Sequence, residues 1–207
     1  MDSLCMTPQN TAFILIEYQN EWVSENGTLR SRLIKDKAQF VNAISISKEM
    51  LMLARKYNYH VIHVLFTPDE NYRIFGHALW GIRQVVPTAG TWRGFQREIH
   101  EDFLPLSGEH VITERSGVSA FSGSNLDSYL RNNHITNLIL TGFATHVCVE
   151  STLRDAHDSG YNTMVLTEAT GAFTDEQKKY FSENIVHHFG KEIDFQELKT
   201  QLSRQRV

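Results

Sequence analysis

A continuous apolar run, Thr11 to Ile16 (TAFILI), is followed by a long helical stripe and then by a second apolar run, His60 to Phe66 (HVIHVLF). Short runs without polar alternation read as strands buried on both faces. Between them, from Lys35 to Tyr57, Phe40, Ala43, Ile44, Leu51 and Ala54 recur at three- and four-residue spacing, giving a helix one apolar face. Strand, helix, strand in that order constrains the fold strongly, because strands joined through a helix pair in parallel and are covered on both sides.

The alternation continues. His110 to Glu114 reads as a third strand, and Ser124 or Asn125 caps a helix over Leu126 to Asn132, with Asn133 at its end. Asn137 to Leu140 is a fourth strand, and a helix follows Cys148 until Gly160 stops it. Thr163 to Leu166 is a fifth strand, leading into a loop, Thr167 to Phe173 (TEATGAF), on the strand-end side. Thr174 caps a helix that opens Asp175-Glu176-Gln177 and runs to about Phe189. Ile193 to Phe195 is a candidate sixth strand before a polar C-terminal helix. The pattern predicts a single α/β domain over 1–207, with residues 1–10 as a loose tail.

Composition removes several classes of function. A net charge of −4 with no basic tract argues against nucleic acid as a partner. No apolar run approaches the roughly 18 residues of a membrane span. The opening MDSLCMTPQN has neither a basic flank nor an apolar core, so no signal peptide is read there. Cys5 and Cys148 are the only cysteines. One lies in the tail and one in the apolar centre, so a reducing cytoplasm is expected rather than a disulfide framework.

Chemistry collects at the strand ends. Glu17 closes the first strand, where open α/β sheets hold their ligands, although a polar residue there also simply marks the exit to solvent. Glu21 and Glu25 suit that plainer role better. Arg115 follows the third strand and can pair with a carboxylate, orient a substrate or serve as a surface cation. Cys148 begins a helical pattern, where the helix dipole and free N–H groups favour a thiolate and can hold an oxyanion. It reads equally as a small apolar residue at a strand–helix joint. His63, in mid-strand, reads as a satisfied core histidine. Met50 and Met52 read as core filler, and His187-His188 carries no assigned chemistry. From Thr67 to Pro105 periodicity is lost, and Tyr72, Phe75, Trp80, Trp92 and Phe95 can line a pocket or an interface. Asp69, Glu70, His77 and His63 lack any recognisable ligand spacing, so no metal is expected.

The segment TGFATHVCVESTLRDA, Thr141 to Ala156, together with ILIEYQNEW and ITERSGVSAF, resembles the isochorismatase-like (cysteine hydrolase) family. That family includes nicotinamidases and N-carbamoylsarcosine amidohydrolases. The resemblance runs from Phe13 to about Phe189. It implies a three-layer α/β sandwich, with a six-stranded, mainly parallel sheet and helices on both faces. It also implies a triad of aspartate, lysine and cysteine, whose places are held here by Glu17, Arg115 and Cys148. The bond expected to be cis is Phe143–Ala144, and the N–H groups of Ala144 and Cys148 would form the oxyanion hole. Glu168 stands where the family commonly has an aspartate. The Asp-x-His metal segment of the nicotinamidase branch is missing from TPDENY.

The resemblance implies a cofactor-free hydrolase that cleaves a C–N bond of a small amide, carbamoyl or imide-like substrate through a Cys148 thioester. The alternatives are a catalytically silent binding protein of the same fold and a vinyl-ether hydrolase of the isochorismatase kind. Pocket-wall candidates are Trp22, Trp80, Phe121, Phe143 and His146, each equally open to core or interface packing. A homo-oligomer, dimer or tetramer, is expected, with the aromatic 67–105 segment as a plausible interface.

Overall fold

Alternation of side chains along β1, Thr11–Ile16, decides the layering. Phe13 and Leu15 enter one apolar cluster, while Ala12, Ile14 and Ile16 enter another on the opposite face. Each of Phe13, Ile14, Leu15 and Ile16, taken fully out of water, contributes about 1.5–3 kcal/mol, so the strand is fixed from both sides. The computed structural model describes residues 6–203. Six parallel strands form one sheet in the order β3-β2-β1-β4-β5-β6. They are β1, β2 (His60–Val64), β3 (His110–Ile112), β4 (Asn137–Phe143), β5 (Asn162–Gly171) and β6 (Lys191–Glu192).

The helices are α1 (Asn20–Val23), α2 (Thr28–Leu33), α3 (Lys37–Lys56), α4 (Ile82–Ala89), α5 (Leu126–Asn132), α6 (Glu150–Asp158), α7 (Asp175–Asn184), α8 (Val186–Phe189) and α9 (Phe195–Ser203). Phe40, Met50, Leu51 and Ala54 of α3 and Leu198 and Leu202 of α9 cover one face of the sheet. Leu126 and Leu130 of α5, Leu153 and Ala156 of α6, Phe181 of α7 and Val186 of α8 cover the other. This is the expected three-layer sandwich. Among the described residues no helix is long and apolar enough to cross a membrane.

Several expectations are corrected. Residues 6–10 are tied down rather than loose: Met6 is buried, and the Asn10 carbonyl accepts from Thr136 and Asn137 N–H, both at 3.0 Å. Cys5 lies outside the described residues. α3 begins two residues late because the N–H groups of Lys35 and Asp36 donate to the Phe173 carbonyl. Met50 is core, but Met52 faces water. The loop expected at 167–173 is largely strand, since β5 resumes pairing with β4 after a register shift between Leu140 and Gly142. The sixth strand is only Lys191–Glu192, and Ile193 to Phe195 lies beyond it. The segment 67–105 contains α4 and three short 3-10 turns.

Candidate active site

The chain runs outward from β1 through β2 to β3, then crosses back to lay β4 on the other side of β1. The crevice where strand order reverses is where open parallel sheets bind ligands, outside the strands' carboxyl ends. Glu17 follows β1 directly, Cys148 follows β4 by one turn, and Arg115 follows β3, so the topology brings all three to that crevice.

Glu17 takes a left-handed backbone conformation, φ 61°. That costs an L residue roughly 1–2 kcal/mol and is held here by its N–H bond to the Val64 carbonyl at 2.9 Å. The carboxylate is gripped on both oxygens. Oε1 pairs with Arg115 Nη2, and Oε2 accepts from the Trp22 indole N–H at 2.8 Å. Arg115 is buried, with Nη1 donating to the Val118 carbonyl at 3.3 Å and its guanidinium 5.0 Å from the Phe66 ring centre. Burial works against the Arg115 charge, but the Glu17 carboxylate and the Cys148 sulfur outweigh it and raise its pKa. Buried ion pairs rarely add stability over apolar pairs, since desolvation offsets attraction.

Cys148 sits in a wide turn, Thr145–Val149, that precedes α6. Its oxygen anchors α6 through the Thr152 hydroxyl, which donates to it at 2.7 Å. The thiol is buried, and burial first and Glu17 second push its pKa well above the ordinary value. Arg115 and the Ala144 N–H pull the other way without reversing the shift. The resting group is therefore a neutral thiol, not the thiolate that a helix N-terminus would favour. The Phe143–Ala144 peptide is cis, at the position the motif implies. Gly142, φ 115°, lets β4 approach β1 at this point, because a Cβ there would run into the Ile16 carbonyl.

Glu17, Arg115, Ala144 and Cys148 share a cavity of about 310 Å³. Trp22 lines it. The other four wall candidates do not. Trp80 is 82% exposed beside a separate surface depression. Phe121 stacks on Tyr161 against the opposite helix layer, ring centres 5.8 Å apart. Phe143 is core, stacked on Phe40 at 4.8 Å. His146 turns its ring edge-to-face onto Phe173 at 4.5 Å, outside the lining. The walls missed in the sequence are mainly Leu29, Phe66, Val86, Val118, Val147 and Phe173. Of these, Phe173 and Val147 carried a signal, one in a strand-end segment and one beside the cysteine.

Two other acids are corrected or explained. Glu21, read as an ordinary surface residue, is completely buried and accepts from Leu29 N–H and the Thr91 hydroxyl. Glu168 accepts from the Phe195 N–H and so fixes the start of α9. His63 is a satisfied buried histidine, 2.8 Å from Glu109. Among the described residues, no three His, Cys, Asp or Glu side chains gather as a metal site.

The family model described as the Isochorismatase domain matches residues 11–197. Ureidoacrylate amidohydrolase RutB of Stutzerimonas stutzeri is 33% identical over 187 residues, spanning 82% of this chain and 73% of that protein. The RutB protein of Rhizobium rhizogenes is 30% identical over 185 residues, with the same two coverages, 82% and 73%. Among solved structures, a cysteine hydrolase from Pseudomonas syringae superposes with a TM-score of 0.81 at 20% identity, covering 98% of this chain and 96% of that one. N-carbamoylsarcosine amidase from Thermoplasma acidophilum superposes at 0.64 with 21% identity, covering 88% and 95%. These two likenesses bear on the fold. With the domain match over nearly its whole length and relatives at this identity, the chain belongs to the isochorismatase family.

Proposed function

We propose that the protein is a cysteine-dependent amidohydrolase that cleaves a C–N bond of a small, non-peptide amide or carbamoyl substrate through a Cys148 thioester. The observation that carries this reading is the meeting of a carboxylate, a guanidinium and a thiol beside the Ala144 N–H, inside one cavity. The names of the relatives support the bond type, since both ureidoacrylate amidohydrolase and N-carbamoylsarcosine amidase are named for amide chemistry.

In the resting site the proton is on sulfur, and Glu17 is paired with Arg115. Glu17 takes the thiol proton as Cys148 Sγ bonds to the substrate carbonyl carbon. The carbonyl oxygen gathers negative charge and is held by the N–H groups of Ala144 and Cys148. The C–N bond then breaks, and the proton on Glu17 passes to the leaving nitrogen. A water gives a proton to Glu17 and its oxygen to the thioester, which releases the acid and restores the thiol. Arg115 does not carry the proton, because a guanidinium stays charged at neutral pH. It aligns Glu17 and balances the charge that moves between carboxylate and sulfur.

An amide screen with acid-quenched mass spectrometry tests this. Wild type should accumulate an acyl group on Cys148, Cys148→Ala should lose turnover, and Glu17→Gln should lose about 10²–10⁴-fold. Turnover that survives Cys148→Ala would remove the thioester from the reaction.

A further inference from the structure

We infer that the substrate carries a neutral, apolar group beside its scissile amide, and that the cavity rejects amides bearing a carboxylate. The inference rests on the function proposed above and narrows its substrate class. Among the described residues, only two charged side chains reach the cavity, and they cancel: Glu17 and Arg115 are already paired. Cys148, the third reactive group, contributes no charge as a thiol. Among the described residues, every other lining side chain is hydrocarbon or one of two indoles, Trp22 and Trp92, and the Trp22 N–H is committed to Glu17.

A carboxylate entering this space would leave water for a wall without a free cation, close to a carboxylate of like charge. Burying an unpaired charge is among the costliest changes a site can impose. The Arg115 charge is matched by Glu17: Nη2 is on Glu17 and Nη1 on the Val118 carbonyl, while Nε is buried without a hydrogen-bond partner. The cations of the neighbouring segments are turned elsewhere. Arg30 donates to the carbonyls of Trp22 and Val23 and lies 5.4 Å from the Phe40 ring centre. Arg93 donates to the Glu70 carbonyl and lies 4.3 Å from the Tyr72 ring centre. Arg83 lines the separate depression beside Trp80. A volume of about 310 Å³ is near the lower end of small-molecule sites, so a short acyl or alkyl group would fill it. This sets the chain apart from relatives whose name, ureidoacrylate amidohydrolase, denotes an acidic substrate.

The test is a matched pair of amides, 4-methylpentanamide and succinamate, in which an isopropyl group replaces a carboxylate of similar shape. Binding is measured by calorimetry on Cys148→Ala, which reads the cavity without the chemistry, and kcat/KM is measured on wild type. The neutral amide should bind more tightly and be turned over about a hundredfold better or more. Equal or tighter binding of succinamate overturns the inference, even where its Cys148-dependent hydrolysis upholds the proposed reaction. Binding of neither amide also overturns it. A neutral preference in binding with no Cys148-dependent turnover upholds the inference and counts against the reaction. As a second variant, Leu33→Arg adds a cation to a half-buried wall position from which a long side chain can reach. It should shift preference toward succinamate, and an unchanged preference would overturn the electrostatic account.

Discussion

Glu17 and Arg115 are both long side chains, and they fit each other. The Glu17 carboxylate reaches both Arg115 and the Trp22 indole from a left-handed backbone position. The cost of this arrangement falls on Cys148, whose thiol is buried next to the negative Glu17. A thiol whose folded pKa is raised favours the folded state at pH values below its unfolded pKa, about 8.5, and that contribution is lost as pH rises towards the folded value. Wild type and Cys148→Ala should therefore differ in urea midpoint by a constant amount up to about pH 8, and wild type should lose ground above about pH 9. A gap that stays flat into the alkaline range would mean that Cys148 ionises normally. Glu17, Arg115 and Cys148 were legible in the sequence as candidates because charged or thiol side chains at strand ends stand out, even though a plainer role was open to each. The cavity walls were not, because Phe66 or Val118 reads as any core residue would, and Trp80 and Trp92 differ only in burial.

Elements were legible where one physical signal dominated. β1 and α5 have the bounds read from apolar runs and spacing, and α7 carries the Thr174–Gln177 capping box at its start. β5 was misjudged because Thr167 to Gly171 is rich in small residues that read as a turn, while pairing with β4 beyond the register shift holds it extended. A polar cluster joins three elements at the opposite sheet edge. Arg55 of α3 and His63 of β2 both bind Glu109, next to β3, at 2.7–2.9 Å. Burial raises the Glu109 pKa, but Arg55, the Leu106 N–H and His63 overcome it and bring it down to about 2. A depressed carboxylate contributes stability above its unfolded pKa, and this is lost as pH falls through the folded value. Wild type should thus lose an increment of stability between about pH 4.3 and pH 2 that Glu109→Gln does not show. Parallel acid limbs in denaturation of the two proteins would refute the cluster's role.

Across the whole molecule the cavity is assembled from segments distant in the chain, with Leu29 on α2, Val86 on α4, Trp92, Val118 and Phe173 around Glu17, Arg115 and Cys148. Nothing local holds such walls in register, so a tie between them is required. Glu21 supplies one. Its buried carboxylate accepts from Leu29 N–H on one wall and from the Thr91 hydroxyl, next to Trp92, on another. Burial raises its pKa, with those hydrogen bonds opposing. Glu21→Gln keeps the shape but replaces one accepting oxygen by a donor, and should cost about 1–3 kcal/mol in urea unfolding. Because Leu29 and Trp92 are cavity walls, the variant should raise KM well beyond any change in kcat. Loss of stability with KM unchanged would reduce Glu21 to a folding residue and leave the register of the walls to packing alone.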